Sequence, residues 1–178
     1  SLEGHVYPVL SPEDQLLALL THGAKHQWSR LLWLVDIGLL MRRPVEWDQV
    51  LDDARRARIE RLCLVGLALA HQVLRVSLPT EVERSLARDA SVGRLVAQLA
   101  ARLRDGRVGQ RRRFPLSALD MRLRESLRDR ALYVVRAAVT PTEADWDLVP
   151  EAMAPFALVA RPFRLAHKWY NRDRAPAN

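Results

Sequence analysis

Cysteine is almost missing from this 178-residue chain, and Cys63 stands alone. An internal disulfide and any cysteine-based zinc site are therefore excluded. Glycine is also scarce, at 7 residues, and the 10 prolines fall mostly between periodic stretches, which argues against a loop-rich β architecture. Aromatic residues make up only 6%, too few for a stacking platform along single-stranded nucleic acid. Lysine is nearly absent, two against 26 arginines. No run approaches the roughly 18 apolar residues of a membrane span, and no basic-then-apolar leader opens the chain. The expected location is the cytoplasm.

What is present is apolar mass and positive charge. Hydrophobic residues reach 49%, ample for a buried core at this length. The formal net charge is +7, unevenly spread: residues 1–40 balance to −2 and the remainder to +9. Such an Arg-rich surface attracts phosphates and acidic partners, yet it is also what a solvated helical face laced with Glu and Asp looks like.

The periodicity predicts an all-α fold, an irregular bundle of about seven to nine helices. Residues 1–10 read as an extended segment, with Val6 and Tyr7 β-prone and Pro8 barring a central strand position. Ser11-Pro12-Glu13-Asp14 is a helix start, with Ser11 as cap, Pro12 in the first turn and acids at the positive dipole end. That helix is expected to run to about His26. A second is expected over 28–42, a third from Trp47 to about Arg58, and a long apolar one near 60–76, where Gly66 permits close helix contact. Thr80 with Glu83 matches a capping box. Further helices are expected at 91–104, 116–139, a short turn from Thr140, and 152–170. Residues 104–113 read as a basic loop and 171–178 as a disordered tail. The helical domain as a whole is expected over 11–170.

Cys63 sits in the run Leu62-Cys63-Leu64-Val65, the setting of a buried, inert thiol. The segment from His22 to Asp36 is chemically denser. On a helix His22, Lys25 and His26 share one face, with Arg30, Trp33 and Asp36 following if the helix resumes after a break. Three readings stay open. Two histidines at i, i+4 are a partial metal site, with Asp36 as third ligand and Lys25 opposing it. The cluster is structural if Arg30 and Asp36 form a buried ion pair. It is an anion-recognition face if Lys25, Arg30 and the imidazoles engage phosphate oxygens. Trp28 and Trp33 read as core residues rather than base-stacking groups.

The stretch His22-Gly-Ala-Lys-His-Gln-Trp-Ser-Arg-Leu-Leu-Trp-Leu-Val-Asp36, led by Ser11-Pro12-Glu13-Asp14, resembles the uncharacterised nucleotidyltransferase family of the polymerase-beta-like superfamily. The segments Arg122–Arg130, Thr140–Trp146 and Arg161–Lys168 extend that resemblance in order along the chain. It implies that this is the C-terminal helical region of such a protein, one wall of a nucleotide and acceptor cleft. It also implies a missing N-terminal α/β domain whose strand-borne Asp-x-Asp pair holds Mg2+ for transfer from a nucleoside triphosphate to an unknown acceptor. Carried over, His22, Lys25, His26 and Arg30 face substrate phosphates, and Asp36 orients Arg30 or Lys25 or adds a carboxylate. This chain alone then binds no cofactor and has no catalytic residue. Its one Asp-x-Asp, Asp145-Trp146-Asp147, lies in a helix start with no strand or Gly-Ser turn before it. That the chain opens at Ser1 suggests native sequence upstream, with residues 1–10 as the exit from the missing domain. The alternative is a stand-alone basic helical module binding nucleic acid or an acidic protein through residues 104–113 and 122–136.

Overall fold

The structure, a computed structural model, describes residues 9–105 and 118–140. Among them it is wholly helical: α1 (Pro12–Lys25), α2 (Leu31–Leu40), α3 (Trp47–Arg56), α4 (Glu60–Leu74), α5 (Thr80–Arg88), α6 (Ala90–Arg104), α7 (Ala118–Arg122) and α8 (Leu127–Val139), with no strand. The expected extended segment 1–10, the basic loop 104–113 and everything beyond Thr140 lie wholly or mostly outside the described residues. Helices α1–α7 belong to one compact unit and α8 to a second.

The first unit is organised around α4, which packs against α1, α2, α3, α5 and α6. The reason is compositional. Leu62, Cys63, Leu64, Val65, Gly66, Leu67, Leu69 and Ala70 are all buried, so α4 is apolar around most of its circumference and only a central position hides it. Its neighbours are one-sided. Helix α3 buries Val50, Leu51 and Ala54, and α6 buries Val92, Leu95, Val96, Leu99 and Ala100, the i, i+3, i+4 stripes of flanking helices.

Gly66 lets α1 approach α4. A Cβ there would stand 2.5 Å from Leu20 Cδ2 and 3.0 Å from Trp28 Cζ2, distances no side chain tolerates without displacement. Polar ties complete the unit. Arg61, at the start of α4, donates to Asp89 Oδ2 at 2.6 Å and to the Arg124 carbonyl at 3.1 Å, while its backbone N–H donates to Glu125 at 2.8 Å. One side chain thus joins the starts of α4 and α6 to the segment after α7. The Glu13 carboxylate accepts the Glu46 backbone N–H at 3.0 Å, linking the first turn of α1 to the cap of α3.

Three boundaries differ from the sequence reading. Helix α2 begins at Leu31 rather than Trp28, because Gln27 and Trp28 adopt left-handed φ angles of 54° and 47°. Thr80 lies inside α5 and is not its cap. The Glu83 N–H bonds the Pro79 carbonyl at 3.0 Å, and no side chain caps the helix, so the capping box does not form. The single helix expected over 116–139 is broken at Leu123–Ser126, where Ser126 caps α8 by accepting the Asp129 N–H at 3.1 Å. Helix α8 leaves Leu127, Leu132, Val134 and Val135 exposed.

Candidate functional site: the turn between α1 and α2

Helix α1 closes on a hydrogen-bond pair that defines its C-terminus. The Trp28 N–H donates to the Gly23 carbonyl at 2.7 Å and the Gln27 N–H to the Ala24 carbonyl at 2.9 Å, the 6→1 and 5→2 bonds of a Schellman motif. Gln27 occupies the left-handed position that glycine usually takes. Its side chain is held at both ends: Nε2 donates to Asp120 at 3.3 Å, and Oε1 accepts from Arg102 at 3.3 Å. The turn drops the Trp28 indole into the core, fully buried. Gly23 makes the room, since a Cβ there would stand 2.5 Å from the indole nitrogen.

With Trp28 inside, the rest of the turn points outward. His22, Lys25, His26 and Arg30 are all exposed, and Trp33 is half-buried beside them. The rings gather: His22 and His26 centroids lie 4.8 Å apart, His26 to Trp33 is 4.9 Å, and His22 meets Trp33 edge-on at 5.4 Å. The Arg30 guanidinium sits 5.8 Å from the Trp33 centroid, within cation–π range. Lys25 shares the exposed side of α1 without a hydrogen bond or ion pair to any described residue.

Arg30 is also the cap residue of α2, extended at φ −122° and ψ 128°, and no side chain caps that helix. No acid occupies its first turn. The positive dipole end of α2 is therefore open beside two cations and two imidazoles, an arrangement that favours an anion.

Asp36 departs from expectation. It forms no ion pair with Arg30, Lys25 or any other described residue, so the buried Arg30–Asp36 pair is not made. Arg30 leaves the chain before the helix begins, six positions from Asp36, and only i, i+3 and i+4 positions face one another. Arg30 turns to Trp33 instead. The metal reading also fails among the described residues, where no group of three or more His, Cys, Asp or Glu is placed to hold an ion. Cations at Lys25 and Arg30 oppose magnesium there, and the described residues do not fit a magnesium site. Trp28 is core, as read from the sequence. Trp33 was expected there too, but it stands half-exposed among the rings. Asp145-Trp146-Asp147 lies outside the described residues.

Residues 1–75 match the model of a family described as uncharacterised nucleotidyltransferase. The match covers α1 to α4 with the turn above, and it does not reach the later segments of resemblance at 122–130, 140–146 and 161–168. No curated protein and no solved structure matches the chain.

Proposed function

We propose, with the match over residues 1–75 as premise, that this chain is the helical, substrate-facing part of a nucleotidyltransferase-like protein. Lys25 and Arg30 contact phosphate oxygens of a nucleoside triphosphate, His22 and His26 donate further hydrogen bonds, and the open start of α2 adds its dipole. The observation that carries this reading is the outward cluster His22–His26–Trp33–Arg30, positioned by a buried Trp28.

Nucleotidyl transfer needs charge neutralised on the attacking and leaving oxygens. The cations of the turn suit the leaving pyrophosphate. The metal-holding carboxylates belong, on this reading, to an α/β domain that works with this chain, and Asp36 is left as a nearby carboxylate without an assigned contact. Magnesium bound by that domain supplies the remaining charge; the residues of this chain bind and orient. Arg30, held over Trp33, presents a fixed fork, the geometry that suits bidentate phosphate contact.

The test is magnesium-dependent transfer by a protein that joins this chain to its α/β domain. Arg30→Ala and Lys25→Ala are each expected to lower the rate by about 10- to 100-fold, the range for a removed charge-stabilising donor, with the melting temperature unchanged. Unaltered transfer in both variants overturns the assignment. Salt-sensitive binding of duplex or single-stranded DNA, unaffected by these two substitutions, would instead support a stand-alone basic module.

A further inference from the structure

A second feature lies on the same unit and owes nothing to the nucleotidyltransferase reading. The start of α2, the end of α4 and the end of α6 line a half-open pocket of about 480 Å³, bordered by Leu31, Val73, Ala100 and Leu103, with Gln72 beside them. Its volume falls in the range of small-molecule sites, about 300–1,000 Å³. The lining is completed by Arg75 and Arg104, both exposed to solvent.

Neither arginine makes an ion pair among the described residues. Arg55, Arg56, Arg61 and Arg84, by contrast, each pair with a carboxylate, so what sets Arg75 and Arg104 apart is their place on one apolar cavity. Asp105 follows Arg104 in the chain but does not line the cavity. Arg75 is held by its backbone rather than its charge: it ends α4 in the left-handed region at φ 59°, its N–H on the His71 carbonyl at 2.9 Å.

The charge at the rim points to the kind of anion. Helices α4 and α6 both end here, each contributing roughly half a negative charge from its dipole. Two guanidiniums and the open start of α2, set against two such ends, leave a net positive charge of roughly one and a half, enough for one carboxylate. We infer that this cavity binds an amphiphilic monoanion, with its apolar body among Leu31, Val73, Ala100 and Leu103 and its carboxylate between Arg75 and Arg104. Apolar walls without the arginines would take a neutral hydrocarbon equally well. Arginines without the walls would hold inorganic anions only weakly at an exposed site.

Calorimetric titration of the 178-residue chain tests this with octanoate, octan-1-ol and octylammonium as probes. Octanoate is expected to bind saturably at one site, the alcohol more weakly, and the ammonium not at all. Arg75→Asn keeps a residue that tolerates the left-handed backbone and removes the cation; Arg104→Gln does the same on α6. Each is expected to weaken octanoate about tenfold, the lower range for a lost charged hydrogen bond, and to leave the melting temperature unchanged. Three results overturn the inference: no saturable octanoate binding, octan-1-ol binding as tightly as octanoate, or full affinity in the double variant.

Discussion

At the scale of single residues, Trp28 decides most. Its φ of 47° and full burial make one residue both the end of α1 and a plug between α1 and α4. Its indole nitrogen is buried and has no hydrogen-bond partner among the described residues, so its removal need not cost in proportion to ring size. Trp28→Ala is expected to destabilise by about 3–5 kcal/mol. Trp28→Phe, which also removes the orphan donor, is expected to cost under about 1.5 kcal/mol. Gly23→Ala is the converse case. Alanine gains about 1 kcal/mol of helix propensity, but its methyl meets the indole, and overpacking of about 1–3 kcal/mol is expected to win. Chemical denaturation of the three variants measures all of this.

Cys63 behaves as its surroundings require. Burial, with a lesser contribution from the charges of Glu125 and Glu60, pushes its thiol up to about 12. A thiol-reactive disulfide reagent at neutral pH is expected to modify it only as fast as the chain unfolds. Fast modification of the native protein would show that the α4 core is open.

At the scale of elements, the tie between α4 and α6 rests on Asp89. Burial alone would raise its carboxyl, but the Ser91 hydroxyl and the Arg61 guanidinium, with the Ser91 N–H, outweigh that and hold it below the usual carboxylate range. Glu13 is held low as well, chiefly by the Glu46 backbone N–H. A carboxyl whose folded value lies below its unfolded value contributes stability that is complete above the unfolded value, about pH 4. That contribution drains away as pH falls through the folded value. The protein is therefore expected to lose stability on acidification below about pH 4. Asp89→Asn is expected to cost about 1–3 kcal/mol at pH 7 and to flatten part of that acid dependence. An unchanged acid profile in Asp89→Asn would assign the loss elsewhere.

The same scale shows what was legible in the sequence. Helix existence was, because the apolar stripes of α3 and α6 and the all-round apolarity of α4 are local patterns. Ser11 was identified as a cap, and it accepts the Asp14 N–H at 3.0 Å. Gly66 was read as a point of close helix contact, which it is. The break at Gln27–Trp28 was visible only as a suspicion, since neither residue type favours positive φ. What holds it is tertiary: Gln27 is bonded by Asp120 and Arg102, 93 and 75 residues away. The interruption at Leu123–Ser126 was missed although Ser126 and Asp129 are a cap pair in plain view; the long apolar and basic periodicity masked it. The Arg75–Arg104 cavity left no sequence signal, because its lining comes from three helices.

At the scale of the whole molecule, the described residues supply a cationic, ring-bearing turn and no constellation suited to holding a catalytic metal. On the function proposed above, this chain grips a nucleotide and another domain performs the transfer. The most direct test is titration of the isotopically labelled 178-residue chain with magnesium–ATP, followed residue by residue by nuclear magnetic resonance. The account predicts shifts concentrated at His22, Lys25, His26, Arg30 and Trp33, lost in the Lys25→Ala/Arg30→Ala double variant. Shifts that are absent from the α1–α2 turn, or that persist there without the two cations, would contradict it.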